Sequence, residues 1–465
     1  MTASPRTTLT TPALIVMCAT IFGSVNQTSM SSLTLPDIQA RFGVEPDALA
    51  WVVTAYLIPF ATGTVIYGRL ADMFGSKRMY LFGMCVFTGA SLLVAAAPSY
   101  PLLIAARVLQ GMGGTAVPAM SLATIIRTTA PIDRGRAMGA TVLAVGLGFA
   151  TGPILGGWLV SLGGWRLPFL VSGGFGFILT PLAFALVPKV AASGDRAFDI
   201  PGAIACAASV TGMVLAINRL PAHPDDLLGL AGGLLAFPLL AILIWRIRTA
   251  PAPFINREIA GNRRFWALSA LGFTSQGSHF AIVVMAPLLL TGVHGSSSIE
   301  AGLYMLPGAL AIAACGMGGG ILLNRLGPRA LLISGAGVLA SGMLLAHLAA
   351  VGWGPAGIAA LYVVVAVGYG LVQAAVITAA TGSLPERLAG VGSGTFNLLF
   401  FLGGAVTVAL SGAILRRRAG AEEAWNGLVS GDASRFSDAA LVVVVVTAIG
   451  FLLALWFAPR RSQPG

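Results

Sequence analysis

Long apolar runs, separated by short polar links, recur along almost the whole chain. A membrane-spanning helix needs about 20 such residues, and many of the runs reach that length. Hydrophobic residues make up 57% of the chain and charged residues only 9%, whereas ordinary soluble domains carry about 25% charged residues. So few charges cannot cover a surface that faces water. The sequence therefore predicts an all-α polytopic membrane protein.

The apolar runs divide into fourteen candidate spans, and the links between them allow sidedness to be tested. With the N-terminus inside, most Lys and Arg residues fall on cytoplasmic links, which is the usual bias. We therefore expect both termini in the cytoplasm, and we interpret the net charge of +11 as a topology signal rather than a sign of nucleic-acid binding. The exception is the outer cluster Arg416–Arg418, which acids of the same link are available to offset. Those acids are Glu422, Glu423, Asp432 and Asp438.

The most distinctive link runs from Gly68 to Arg78, between two apolar runs. Gly68 and Asp72 are four residues apart, so a continuing helix puts them on one face, and Gly75 permits a turn. An acid at such a turn can pair with a base or cap a helix end, and that bond would hold in only one arrangement of the helices. We interpret this as a conformational latch. The residues assigned to it are Gly68, Asp72, Gly75, Lys77, Arg78 and, in the next cytoplasmic link, Arg136. The expected partner of Asp72 is either Arg136 or the start of the thirteenth span.

This stretch resembles the G-x-L-a-D-r-x-G-r-k loop of major facilitator superfamily transporters. A weaker echo, with Asn324 in place of the acid, runs from Gly320 to Arg329. Fourteen spans with a central extra pair resemble the fourteen-helix drug:proton antiporter branch. The resemblance implies a major facilitator fold of two six-helix bundles that face a substrate passage, with an inserted two-helix hairpin. The implied domains are an N-terminal bundle at 1–187, a linker with the extra helices at 188–263, and a C-terminal bundle at 264–465.

Arg107 lies within the fourth apolar run, and Gln110 and Gly111 share its helical face. A charge in hydrocarbon is expensive, so Arg107 is expected to face protein or a water-filled cavity and is more often functional than structural. The run resembles the R-x-x-q-G motif that the family associates with proton coupling. The structural alternative is an arginine bonded to backbone carbonyls.

Gly148, Gly152 and Gly156 form a stripe at steps of four on the fifth span, which allows close helix packing. The stretch resembles the G-x-x-x-G-P-x-x-G-G motif, which marks antiporters in the superfamily and favours export. A plain packing interface is the alternative, and the two are compatible. The residues expected to close the outer side are Gly148, Gly152, Pro153, Gly156 and Gly157.

The substrate and proton pathway is predicted from polar residues inside the spans. Gln27 stands where the branch's first-helix signature has an acid, and no acid lies at the middle of a span. A neutral, zwitterionic or weakly anionic substrate therefore fits better than a dication. His279, near Gln276, is a suitable proton carrier because histidine titrates near neutral pH, although a permanently neutral histidine is equally compatible. Asp37, just after Pro36, is a second candidate, although its position is typical of a helix end. The pathway residues are Asn26, Gln27, Tyr56, Arg107, Gln110, Gln276, His279 and Asn397.

These features predict an exporter of a small organic compound, drug-like or metabolite, that works by proton antiport in the bacterial inner membrane. No enzyme signature, metal spacing or phosphate-binding P-loop is present in the sequence. We therefore expect transport to be driven by the proton gradient without a cofactor. We also expect the protein to be surrounded by membrane lipid and to function as a monomer. Two alternatives are a lipid or metabolite transporter without proton coupling and a non-transporting membrane sensor or scaffold.

Overall fold

The structure, a computed structural model, describes residues 9–44, 46–190, 199–220, 224–251, 253–348, 352–385, 388–418 and 420–459. Helices dominate these residues, and the extended pairing found among them is an isolated bridge between Glu423 and Ser430. The chain divides into two compact units, Met1–Ala197 and Phe198–Gly465. We refer to them as the N-terminal and C-terminal units.

The helices of the N-terminal unit are α1 (Thr11–Met30), α2 (Leu35–Phe42), α3 (Pro46–Phe74), α4 (Ser76–Ala96), α5 (Tyr100–Thr128), α6 (Pro131–Gly163) and α7 (Arg166–Leu186). Those of the C-terminal unit are α8 (Ile200–Arg219), α9 (Leu227–Thr249), α10 (Arg257–Gly261), α11 (Arg263–Gly292), α12 (Ser298–Leu326), α13 (Pro328–Leu348), α14 (Pro355–Thr381), α15 (Ala389–Arg417) and α16 (Ser434–Phe457).

The two units repeat one pattern of helix packing. In the N-terminal unit α1 packs on α6 and α7, α5 on α3 and α4, and α4 on α7. In the C-terminal unit α11 packs on α15 and α16, α14 on α12 and α13, and α13 on α16. The same six-helix arrangement therefore occurs twice, which is the internal repeat that the resemblance implies.

Polar side chains at the helix starts satisfy backbone N–H groups that would otherwise lack partners. The side chain of Asn262 accepts from the N–H of Phe265 at 2.9 Å at the start of α11. Ser297 and Glu300 form a reciprocal capping box at the start of α12. Local sequence thus fixes where the long apolar helices begin.

Glycine forms the turn in both copies of the latch motif. Gly75 joins α3 to α4 with φ of +89°, and Gly327 joins α12 to α13 with φ of +81°; glycine adopts such angles at little cost. The expectation that Gly75 permits a turn is confirmed. The expected length of the link is wrong, because α3 remains helical to Phe74 and α4 begins at Ser76.

Among the described residues, eleven helices are long and apolar enough to cross a membrane, so the chain is a multi-pass membrane protein. The extra pair, α8 and α9, packs mainly on itself and touches α15, which places it in the C-terminal unit. Large apolar side chains on α9 face outward, including Leu234 (73% exposed) and Phe237 (76% exposed). Such a face suits lipid rather than water.

Candidate functional site

Arg107 is fully buried on α5 and belongs to a chain of hydrogen bonds. Its Nε donates to the backbone oxygen of Val52 on α3 at 2.7 Å, and Nη1 donates to Oε1 of Gln110 at 2.6 Å. Gln110 in turn donates from Nε2 to Oγ of Ser91 on α4 at 2.8 Å. The expectation that Arg107 faces protein is confirmed. Its bond to the backbone oxygen of Val52 is of the kind expected if the arginine has a structural role.

Two aromatic rings enclose the Arg107 guanidinium. Its central carbon lies 4.6 Å from the ring centroid of Tyr56 and 5.6 Å from that of Phe169 on α7. Cation–π attraction stabilises a desolvated cation in this arrangement. No carboxylate among the described residues forms a salt bridge with Arg107, because the described ion pairs involve Arg219, Arg246 and Arg418.

The polar residues of α1 lie in the same unit as Arg107. Gln27 is fully buried and accepts a hydrogen bond through Oε1 from Ser172, one turn along α7 from Phe169. Nδ2 of Asn26 donates to Oγ1 of Thr151 at 2.7 Å, which fastens α1 to α6. The structure thus brings Gln27 and Arg107 toward neighbouring turns of α7, while Asn26 faces a different helix.

In the C-terminal unit, His279 is 2% exposed on α11 and stacks on tyrosine rings from α14. Its ring centroid lies 4.1 Å from that of Tyr369, with 10° between the ring planes, and 6.2 Å from that of Tyr362. Nε2 lies 3.4 Å from the hydroxyl of Tyr362. Among the described residues, Nδ1 has no hydrogen-bond partner.

A second chain of hydrogen bonds borders this stack. Gln373 donates from Nε2 to the hydroxyl of Tyr369 at 2.9 Å, and that hydroxyl donates to Oε1 of Gln276 at 2.6 Å. Gln276 and His279 therefore share one cluster. Asn397 lies on α15, half-buried, and no described contact joins it to this cluster.

Sequence reasoning missed Ser91 and Phe169 around Arg107, Ser172 beside Gln27 and the α14 residues around His279. The α14 residues Tyr362, Tyr369 and Gln373 recur at steps of seven and four. This spacing places them on one helical face, so a polar-aromatic face on α14 was the available signal.

Comparison with known sequences shows which protein family contains this chain. The sequence model of the Major Facilitator Superfamily matches residues 16–408. The chain belongs to the Major Facilitator Superfamily. The protein is therefore a transporter, not an enzyme.

The chain is also similar to individual transporters of known sequence or structure. The cephamycin export protein CmcT of Amycolatopsis lactamdurans is 30% identical to this chain, and the alignment covers 99% of this chain and 95% of CmcT. The multidrug resistance protein Stp of Mycobacterium tuberculosis (strain CDC 1551 / Oshkosh) is 28% identical, and the alignment covers 83% of this chain and 72% of Stp. The crystal structure of the human organic anion transporter MFSD10 (TETRAN) has a TM-score of 0.66 at 16% identity, covering 95% of this chain and 99% of that chain. That likeness shows the fold alone.

The glycine stripe of α6 packs against α1. A Cβ added to Gly148 would lie 3.0 Å from the backbone oxygen of Phe22, and one added to Gly156 would lie 3.0 Å from Cα of Met30. A larger residue at either position would therefore force its neighbour on α1 to shift, and the expected close packing is confirmed at these two positions. Gly152 is buried and Gly157 exposed on the same helix.

In the C-terminal unit, α15 packs on α11 through Gly403, where an added Cβ would clash with the backbone of Phe273. Four residues on, Thr407 occupies the next position of the stripe. Its hydroxyl is buried and has no hydrogen-bond partner among the described residues. The all-glycine stripe of α6 is therefore not repeated on α15.

The latch residues are located only in part. Gly68 and Asp72 lie on α3, as expected, but the side chain of Asp72 lies outside the described residues, as do those of Pro153 and Asn324. Lys77 lies 5.6 Å from the ring centroid of Phe184 on α7. Arg78 and Arg136 are exposed. The pairing of Asp72 with Arg136 stays a prediction.

Proposed function

We propose that this transporter is a fourteen-helix exporter that moves a small organic compound outward by proton antiport with alternating access. The printed names of CmcT and Stp, an export protein and a multidrug resistance protein, support the outward direction. The observation that carries the proton-coupled part of the proposal is His279, buried in a membrane-spanning helix with one ring nitrogen unpaired among the described residues.

His279 has the chemistry that a proton carrier needs. In the tautomer that carries its proton on Nε2, the unpaired Nδ1 can accept a second proton without the loss of an existing hydrogen bond. A charged ring in hydrocarbon is expensive, so protonation favours a state in which water or substrate reaches the ring. Proton binding is thereby linked to a conformational equilibrium, and this link is the thermodynamic requirement of antiport.

Arg107 bears on the charge of the substrate. It is a buried cation without a salt bridge among the described residues. Intramembrane charges without a neutralising partner favour a ligand that does not add positive charge. We therefore propose a neutral, zwitterionic or weakly anionic substrate.

The test is substrate flux in proteoliposomes, with and without an imposed pH gradient. The proposal predicts that the gradient accelerates flux of wild-type protein and that His279→Ala removes the acceleration. His347→Ala is the matched control, because His347 lies near the end of α13 with Nδ1 3.0 Å from the backbone oxygen of Ser437. Gradient-dependent flux that survives in His279→Ala would exclude His279 as the carrier.

The second candidate is a lipid or metabolite transporter without proton coupling. It is favoured by the position of the described acids, which lie in links or near helix ends. Flux of the wild-type protein that ignores the pH gradient would support this candidate against antiport.

We further propose a location in the bacterial inner membrane with both termini in the cytoplasm, and function as a monomer driven by the proton gradient alone, without a cofactor. The distribution of Lys and Arg supports the orientation. Asp72 is proposed as the inner latch. Asp72→Asn should lower transport while the protein still inserts into the membrane, and normal transport by this variant would remove the latch from the proposal.

A further inference from the structure

The link between α15 and α16 follows the basic cluster that departs from the sidedness pattern. Arg418 is used internally, because its Nε donates to the buried carboxylate of Asp438 at 2.6 Å and its Nη2 donates to the backbone oxygen of Glu423 at 2.6 Å. The expectation that an acid of this link offsets the cluster is thus confirmed for Arg418. Arg416 and Arg417 are left as the outward-facing part of the cluster.

Arg416 and Arg417 are exposed at the last turn of α15. Among the described residues neither forms an ion pair, although the link also carries exposed acids. Nη1 of Arg416 lies 3.6 Å from the position of a Cβ built on Gly412, so its side chain lies back along the helix by one turn. The guanidinium is therefore held beside the apolar part of α15. The acids in question are Glu422, Glu423 and Asp432.

The link itself is folded. Nδ2 of Asn426 donates to the backbone oxygen of His347 at 2.6 Å, and the N–H of Trp425 donates to Oδ1 of Asp438 at 2.8 Å. These bonds fix the link to the ends of α13 and α16. They hold Trp425 and Leu428 with 55% and 68% of their surfaces exposed.

We propose that Arg416 and Arg417 bind the phosphate groups of anionic phospholipids, with Trp425 and Leu428 seated in the interfacial layer of the same leaflet. The planar guanidinium matches phosphate oxygens and is weakly hydrated. Tryptophan prefers the membrane interface. The apolar surface also continues along α16, where Ile449 is 49% exposed. The central guanidinium carbon of Arg418 lies 5.3 Å from the ring centroid of Trp425, so the exposed ring lies beside the basic cluster, as a lipid headgroup region requires.

The first test is thermal unfolding in detergent, with phosphatidylglycerol or phosphatidylcholine added. Phosphatidylglycerol should raise the Tm more than phosphatidylcholine, and the double variant Arg416→Gln/Arg417→Gln should lose at least half of that difference. Arg41→Gln, which removes an exposed arginine at the last turn of α2, should retain it. The proposal is overturned if the double variant keeps the whole difference, if Arg41→Gln loses as much, or if inorganic phosphate reproduces the rise.

The second test follows Trp425 directly in nanodiscs that contain lipids brominated near the headgroup. Trp425→Phe should remove a quenchable part of the tryptophan fluorescence, whereas Trp165→Phe should not, because Trp165 is 4% exposed. Equal quenching in wild type and Trp425→Phe would contradict the seating of this link in the interface.

Discussion

Gln110→Leu is the sharpest test of the buried network around Arg107. Leucine approximates the size of glutamine but neither accepts from Nη1 of Arg107 nor donates to Ser91. The lost bonds are 2.6 Å and 2.8 Å long. A hydrogen bond to a charged group contributes about 1.5–3 kcal/mol and a neutral one about 0.5–1.5 kcal/mol. Hydrogen bonds inside membranes contribute less, about 0.6–1.7 kcal/mol each, so we expect the loss of both bonds to lower the free energy of unfolding by about 1–3 kcal/mol.

The assay is reversible unfolding in mixed micelles, with Gln373→Leu as the matched control. Gln373 makes one described hydrogen bond, to the neutral hydroxyl of Tyr369, so its loss should cost about 1 kcal/mol. A Gln110→Leu variant as stable as Gln373→Leu would refute the reasoning, because Arg107 would then not depend on Gln110.

Three further predictions follow from the packing, the charges and the aromatic stack. Gly148→Val should lower stability by about 1–3 kcal/mol, because its Cβ would lie 3.0 Å from a backbone oxygen of α1; Gly89→Val, where nothing lies within 4 Å, should not. The pKa of Asp199 is lowered: burial raises it, but hydrogen bonds from Arg246 and two backbone N–H groups outweigh that. The carboxylate thus stabilises the fold above its ordinary pKa of about 3.9, and this stability is lost as pH falls through the lowered native pKa. The difference in stability between wild type and Asp199→Asn, measured by thermal unfolding, should therefore be constant near neutral pH and should disappear in acid. Tyr369→Phe keeps the ring on His279 but removes the hydroxyl, so the pH profile of transport should shift; an unchanged profile would separate that hydroxyl from coupling.

Much of the fold follows from the sequence, because each helix carries its own signal. The apolar runs are long enough to predict spans, and Gly75 is predicted at a turn whose φ only glycine adopts readily. The end of α3 was misplaced because Gly68 to Phe74 contains polar residues that read as a link, whereas the helix continues through them. Hydropathy marks the membrane and not the end of a helix.

The sites were predicted less completely, for a physical reason. Arg107 and His279 stand out because charged or titratable groups are rare in apolar runs. Their partners Phe169 and Tyr369 look like ordinary apolar helix residues, and they come from helices distant in sequence. Which helices pack together is a tertiary property that periodicity within one helix does not contain.

Proton movement during substrate flux tests the central claim most directly. Proteoliposomes that contain a pH-sensitive dye should report proton flux opposite to the substrate flux for wild-type protein. In His279→Ala the substrate flux should continue or slow without accompanying protons. Substrate movement by wild-type protein with no proton flux would contradict the account, and so would unchanged proton flux in the variant.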